Sequence, residues 1–108
     1  MIVYEVNLFV QHAIEAEFRP WLDAHISEML ALPGFIDASV FDVVEPAPDT
    51  DEVALCVLYR LTSETALADY LRDHAPRMRG DGLARFGASF RAGRRVLRPV
   101  ASADPGGR

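Results

Sequence analysis

The chain has 108 residues, half of them apolar, and a formal net charge of −5. This length suits one globular domain with its own core, and no apolar run reaches the roughly 18 residues of a membrane span. The single cysteine excludes an internal disulfide, and no Cys/His cluster has zinc-ligand spacing, so no metal site is predicted. The first residues do not resemble a signal peptide, so we expect a cytoplasmic protein without membrane contact.

The first half of the chain predicts a strand, a helix and a second strand. IVYEVNLFV, residues 2–10, alternates between an apolar face and a half-polar face, as a strand does. Apolar residues then recur at helical spacing and predict a helix from about 13 to 31, ended by LPG. Pro20 conflicts with this helix, because an interior proline costs roughly 3 kcal/mol, so the helix should start late or kink there. FIDASVFDVV, residues 35–44, predicts the second strand.

The second half predicts a strand, a broken helix and a last strand. EVALCVLYRL, residues 52–61, forms a hairpin with the preceding strand through a turn-rich loop. A second helix should begin near Glu64, after a Thr-Ser pair that is typical of a helix start. Pro76 predicts a break followed by a short helix through Ala84. SFRAGRRVLRPV, residues 89–100, is typical of the last strand.

This order predicts an α+β fold, the ferredoxin-like βαββαβ sandwich, with two helices on one face of a four-stranded antiparallel sheet. We assign residues 1–99 to this domain and residues 100–108 to a flexible tail. A second subunit should cover the other face, sheet against sheet, in a homodimer that buries more than roughly 1,000 Å². The apolar residues expected on that face are Val3, Phe9, Phe35, Phe41, Val53, Leu55 and Tyr59.

All eleven basic residues are arginines, and eight of them lie between residues 72 and 98 with only two acidic residues. The residues up to 59 are strongly acidic, so this distribution indicates either charge pairing or an anionic ligand. We expect pairing in a protein that is acidic overall. Gly80 and Gly82 loosen the segment but do not form a phosphate-binding loop. The expected pairs join Arg77, Arg79, Arg85, Arg91, Arg94, Arg95 and Arg98 to acids that include Glu28, Asp37 and Asp42.

Glu5 and Asn7 form a polar pair on the half-polar face of the first strand. The ferredoxin-like plan places the last strand beside the first, so Arg91 or Arg95 can reach Glu5. A buried ion pair that fixes the dimer register is one interpretation. The alternatives are a ligand-orienting pair and a carboxylate with a raised pKa that acts as a base.

Four further side chains have competing structural and functional interpretations. Tyr59 ends the third strand on the face that should line the space between the two subunits, where its hydroxyl could form a hydrogen bond with a ligand. Cys56 should lie against the helices as an inert filler. His74 continues the buried stripe of the second helix, so it either packs at the helix end or transfers a proton. His25 lies on the apolar stripe of the first helix and is expected in the core.

Six segments together resemble the domain of unknown function 4286 family of small bacterial proteins, over residues 1 to about 98. They are MIVYEVN, WLDAH, LPGF, YLRDHAPRMR, GLARFG and FRAGRRVL. The family is similar in plan to the dimeric α/β barrel superfamily, in which two ferredoxin-like subunits face their sheets to each other. The resemblance therefore implies the same homodimer and brings no activity.

The wider superfamily includes cofactor-free antibiotic-biosynthesis monooxygenases, haem-degrading monooxygenases, haem-dependent enzymes and ligand-sensing modules, and the fold does not choose among them. Resemblance to the haem-degrading members implies roles for Asn7 and His74. Their helical tryptophan has no counterpart, because the only tryptophan, Trp21, lies in the first helix. We predict no cofactor.

The favoured hypothesis is a homodimer that binds a small aromatic or anionic molecule between sheet and helices. Its predicted ligand-binding residues are Glu5, Asn7, Tyr59, Arg91 and Arg95, and any catalysis would fall to His74 or Asn7. The alternatives are a non-catalytic structural dimer with a filled interior and a cofactor-free monooxygenase. Nucleic-acid binding is not expected, because the third strand lacks the paired aromatic residues that stack bases.

Overall fold

The computed structural model describes residues 1–106 and contains the predicted order of strands and helices. The antiparallel sheet has the order β2-β3-β1-β4, which is the ferredoxin-like βαββαβ plan and confirms the predicted fold class. Residues 107 and 108 of the predicted tail lie outside the described residues. The strands are β1 (Ile2–Gln11), β2 (Phe35–Asp42), β3 (Glu52–Leu61) and β4 (Phe90–Leu97), and the helices are α1 (Glu15–Leu30), α2 (Glu64–Asp73) and α3 (Ala75–Phe86).

Helix α1 continues through Pro20 without interruption, although the sequence predicted a late start or a kink. A short 3₁₀ turn at residues 12–14 precedes it. The lost hydrogen bond is offset because the helix buries one apolar face, and each buried side chain contributes roughly 1.5 to 3 kcal/mol. The residues of this face are Phe18, Leu22, Ile26 and Met29.

The second helical region is divided in two, as Pro76 predicted. Ser63 caps α2 by accepting a hydrogen bond from the backbone N–H of Ala66 at 3.1 Å. His74 has φ −127° and belongs to neither helix, and Pro76 lies in the first turn of α3, where its missing N–H costs least. Helix α3 runs two residues beyond its predicted end and stops at Gly87, whose φ of 55° favours glycine.

The β1–β3 register decides which residues face the helices. Tyr4 lies opposite Tyr59, and Leu8 lies opposite Leu55. Directly opposite residues share one face of a sheet, so β3 turns these side chains toward the helices. The sequence had assigned Tyr59 and Leu55 to the uncovered face, and that prediction was wrong. Strand β3 is apolar on both faces, so its own pattern does not reveal its orientation.

The same correction applies to Val53 and Phe35. Val53 pairs with Val10 in the layer under the helices, and Phe35 packs edge-on against Tyr70 with ring centroids 5.1 Å apart. The expected residues that do lie on the uncovered face, which we call the open face, are Val3, Phe9 and Phe41.

The core lies between the sheet and the helices. Its fully buried aromatic residue is Phe18, whose ring centroid lies 5.2 to 5.4 Å from those of Trp21, Phe86 and Phe90. Aromatic pairs at such distances stabilise a core beyond their buried area. This cluster fixes α1, α3 and β4 relative to one another, and one side of Trp21 borders the cavity described below. No helix within residues 1–106 is both long and apolar enough to cross a membrane.

Candidate functional site

A cavity opens between the sheet and the helices, with about 480 Å³ of space that includes its opening to solvent. Of the five predicted ligand-binding residues, only Tyr59 lines it. The cavity therefore lies where a ligand was predicted, but four of the five residues predicted to bind that ligand do not line it. Its lining residues include Tyr4, Trp21, His25, Tyr59, Tyr70, Arg79 and Arg94.

Flat aromatic rings form much of the cavity wall. Trp21 and His25, four residues apart on α1, stack with ring centroids 4.7 Å apart and an angle of 19° between their planes. The ring of Tyr4 lies 6.1 Å from that of Tyr59 and 5.9 Å from that of Tyr70. A wall of this kind suits a planar, apolar molecule.

The tyrosines also bring hydroxyl groups to the cavity. Arg79 donates a hydrogen bond to the hydroxyl oxygen of Tyr4 at 3.0 Å. Burial raises the pKa of Tyr70 to about 12 and raises the pKa of Tyr59 as well, so both hydroxyls are protonated at neutral pH. Within residues 1–106 neither hydroxyl has a hydrogen-bond partner, yet neither is sealed from solvent. Both are available to a ligand as donors.

His25 is the ionisable base of the cavity wall. The sequence placed it in the core, but the residue is only half-buried and faces the cavity. Burial lowers its pKa from the ordinary 6.5, with a smaller contribution from Arg94, while Glu28 and Asp81 act in the opposite direction. The ring is therefore neutral at pH 7 and can accept a proton.

Glu5, Asn7 and Arg95 form a hydrogen-bonded cluster on the open face. Arg95 donates to both carboxylate oxygens of Glu5, at 2.6 and 3.0 Å, and Asn7 Nδ2 donates to Glu5 Oε2 at 2.8 Å. Glu5 is only 7% exposed. The hydrogen bonds from Arg95 hold the pKa of Glu5 below its ordinary value, so the hypothesis of a base with a raised pKa was wrong.

Two other open-face residues, Arg91 and Cys56, lie outside this cluster. Arg91 bonds Glu52 at 3.3 Å, and its guanidinium lies 4.0 Å from the centroid of the Phe9 ring. Cys56 lies opposite Asn7 on the open face, not against the helices as predicted. Burial raises the pKa of its thiol, which keeps it protonated and unreactive.

The predicted catalytic candidates do not meet. Asn7 lies on the open face, whereas His74 lies at the α2–α3 junction, where Arg77 Nη2 is 3.4 Å from its Nδ1 atom. Neither lines the cavity. The pairing expected from the resemblance to haem-degrading enzymes therefore has no counterpart in this geometry.

Charge pairing accounts for half of the arginines between residues 72 and 98. Asp37 and Asp42 are paired, but with Arg60 and Arg19, which lie outside that segment. The expected partners were wrong because the register places these acids beside other strands and helices. Within residues 1–106, the arginines of the segment with a carboxylate partner are Arg72, Arg91, Arg95 and Arg98, and those without one are Arg77, Arg79, Arg85 and Arg94.

The sequence interpretation missed most of the cavity residues. The only local signal of the cavity was the four-residue spacing of Trp21 and His25. This spacing puts two flat rings, each with a ring nitrogen, on one face of the helix. Tyr4 and Tyr70 follow the apolar periodicity and look like core residues. Arg79 and Arg94 belong to the arginine-rich segment, where nothing in the pattern separates them from the paired arginines.

The family model described as Domain of unknown function (DUF4286) matches residues 1–100 of the chain. This match confirms the resemblance seen in the sequence. No curated protein has a significantly similar sequence.

Solved structures are similar over nearly the whole chain. A putative antibiotic biosynthesis monooxygenase from Deinococcus radiodurans has a TM-score of 0.73 at 12% identity, covering 99% of this chain and 100% of that chain. SnoaB, a cofactor-independent oxygenase from Streptomyces nogalater, has a TM-score of 0.66 at 18% identity, covering 94% and 95%. Rv0793 from Mycobacterium tuberculosis has a TM-score of 0.64 at 22% identity, covering 96% and 100%. At these identities the likeness shows the fold alone, the ferredoxin-like βαββαβ plan.

Gly82 and Gly80 provide a matched test of the cavity wall. A Cβ atom at position 82 would lie 3.0 Å from Trp21 Cη2 and 3.1 Å from Phe90 Cζ, whereas one at position 80 would meet nothing within 4 Å. We expect Gly80→Ala to stabilise the protein by about 0.5 to 1 kcal/mol, because alanine loses less backbone entropy in a helix. Gly82→Ala should lose this gain and displace the Trp21 ring toward the cavity.

Chemical denaturation measures the stability of both variants, and the emission spectrum of Trp21, the only tryptophan, reports its displacement. Equal stabilisation by the two substitutions with an unchanged Gly82→Ala spectrum would contradict tight packing of Gly82 against Trp21 and Phe90.

Proposed function

The chain belongs to the family described as Domain of unknown function (DUF4286), and from that premise we propose that it binds a small aromatic molecule in the cavity between its sheet and its helices. The observation that carries this proposal is the combination of stacked Trp21 and His25 with the unpartnered hydroxyls of Tyr59 and Tyr70 within residues 1–106. Ligand sites are mostly apolar, with a few polar groups that orient the ligand.

The cavity also weighs against the structural-dimer alternative. A protein whose only role is to pair with its partner would be expected to fill its interior, because empty space forfeits packing contacts. Here the space remains beside Trp21, although Gly82 provides the close approach that lets α3 pack against that ring. The Trp21 ring thus lies at the edge of the cavity and does not fill it.

Calorimetric titration with 2-naphthamide, a flat and neutral aromatic molecule, tests the proposed binding. We expect saturable binding to the wild type and to Gly80→Ala, and at least about tenfold weaker binding to Gly82→Ala, because the displaced Trp21 ring takes up ligand space. If Gly80→Ala and Gly82→Ala bound 2-naphthamide equally, the probe would be bound outside this cavity. If no aromatic probe bound at all, the structural-dimer alternative would replace this proposal.

We further propose that the open face pairs with the open face of a second copy. Val3, Phe9 and Phe41 provide apolar surface there, and Phe41 is 50% exposed. The Glu5–Arg95 pair is already satisfied within one chain, so it can enter an interface without leaving an unpaired charge. A monomer would leave this whole face in water, whereas two copies related by a two-fold axis cover it.

Sedimentation of the wild type at micromolar concentration should give the mass of a dimer. Phe41→Glu should shift the population toward monomer, because it places a carboxylate in the apolar part of the proposed interface. Leu83→Glu is the matched control: Leu83 is 59% exposed on α3, in the helical layer on the other side of the sheet, and its substitution should leave the dimer intact. A wild-type monomer at that concentration would overturn the dimer proposal.

A cofactor-free monooxygenase is the second candidate, favoured by the neutral His25 ring beside the cavity. In such a reaction His25 would accept the proton of a phenolic substrate, and O₂ would be the oxidant. One oxygen atom would enter the product and the other would leave as water, with all electrons supplied by the substrate. SnoaB is described as a cofactor-independent oxygenase, and its fold is similar.

Oxygen uptake with 1,5-dihydroxynaphthalene tests this candidate. The uptake that depends on the protein should fall at least about tenfold in His25→Asn and stay unchanged in His12→Asn, since His12 is exposed near the start of α1. Because the pKa of His25 lies below 6.5, the base stays active at pH 6.5 and is lost only as pH falls through that lowered value. Uptake no faster than in buffer would count against this chemistry for the phenol tested.

A further inference from the structure

Two arginines at the cavity lack a carboxylate partner within residues 1–106. Arg79 comes from α3 and bonds the hydroxyl of Tyr4. Arg94 comes from β4, where its position opposite Val6 turns it toward the helices. Both side chains line the cavity and both residues are exposed, so their charges lie at its solvent side.

Arg77 and Arg85 also lack a carboxylate partner within residues 1–106, but of these four arginines only Arg79 and Arg94 line the cavity. Six other arginines form ion pairs with carboxylates of the same chain. Acidic residues are also near, because Glu28 and Asp81 act on the pKa of His25, yet neither is paired with Arg79 or Arg94. The fold therefore leaves two positive charges available beside an aromatic cavity.

The field of these arginines extends into the cavity. Arg79 and Arg94 both oppose the rise in the pKa of Tyr70 that burial causes, and Arg94 helps to lower that of His25. A negative charge on a ligand would be favoured by the same field, and it would be less screened there than on an open surface.

Resting on the binding function proposed above, we infer that the ligand is a planar aromatic carboxylate, with its ring against Trp21 and its carboxylate between Arg79 and Arg94. A guanidinium group presents parallel N–H donors that match the two oxygens of a carboxylate. The hydroxyls of Tyr59 and Tyr70 would then serve polar substituents on the ring. This assignment gives a ligand role to two members of the arginine-rich segment that charge pairing leaves unexplained.

The test compares 2-naphthoate with 2-naphthamide, which has nearly the same shape and no charge, by calorimetric titration. The wild type should bind 2-naphthoate at least about tenfold more tightly, since hydrogen bonds between charged groups are stronger than neutral ones. Arg94→Gln and Arg79→Gln should each remove most of this preference, so that the ratio of the two affinities falls toward one. Arg94→Lys should restore part of it, because the charge returns without the planar donors.

Arg85→Gln is the matched control, because it removes the same net charge from α3 at a side chain that lies over Phe86 and does not line the cavity. It should leave both affinities unchanged. Equal affinity of the wild type for the two probes would overturn the carboxylate assignment and leave the binding proposal standing. An equal loss in Arg85→Gln would assign the preference to net charge and also overturn it. Failure of both probes to bind would overturn the binding proposal itself.

Discussion

The pairing of β1 with β3 is the constraint on which the rest of the structure depends. Because side chains alternate along a strand, a shift of one residue would turn every side chain of β3 to the other face. The observed register puts Tyr4 opposite Tyr59 and Glu5 opposite Leu58. It thereby collects the aromatic residues under the helices and leaves the Glu5–Arg95 pair on the open face. Both the cavity and the open face follow from this single alignment.

The cavity itself follows from the kind of residues collected there. Aliphatic side chains in the same positions could close the space, whereas aromatic rings are rigid and tyrosines carry hydroxyl groups that need a partner or solvent. The hydroxyl of Tyr4 is satisfied by Arg79, while those of Tyr59 and Tyr70 still reach solvent-accessible space. The Trp21 ring packs closely against the backbone at Gly82. It therefore forms part of the cavity wall and does not fill the cavity.

The arginines of β4 show how one strand serves both sides of the sheet. Arg91 and Arg95 lie on the open face, where Glu52 and Glu5 neutralise them. Arg94 directly precedes Arg95, and successive side chains of a strand point to opposite faces, so Arg94 lies on the helical side of the sheet. No carboxylate within residues 1–106 pairs with it there. Exposed ion pairs contribute little to stability. Their main effect here is to neutralise the two arginines of the open face.

The sequence by itself determined the order of the elements, the break at Pro76 and, through them, the fold class. It also predicted that Arg91 or Arg95 would reach Glu5, because the ferredoxin-like order places β4 beside β1, and the register selects Arg95. Only the tertiary structure decided the orientation of β3. When a strand is apolar on both faces, its sequence pattern does not show which face packs against the helices. The sequence predicted a ligand between the sheet and the helices, but most of the residues that line the cavity could not be read from it. The cavity walls come from separate strands and helices, and each residue taken alone looks like an ordinary core or surface side chain.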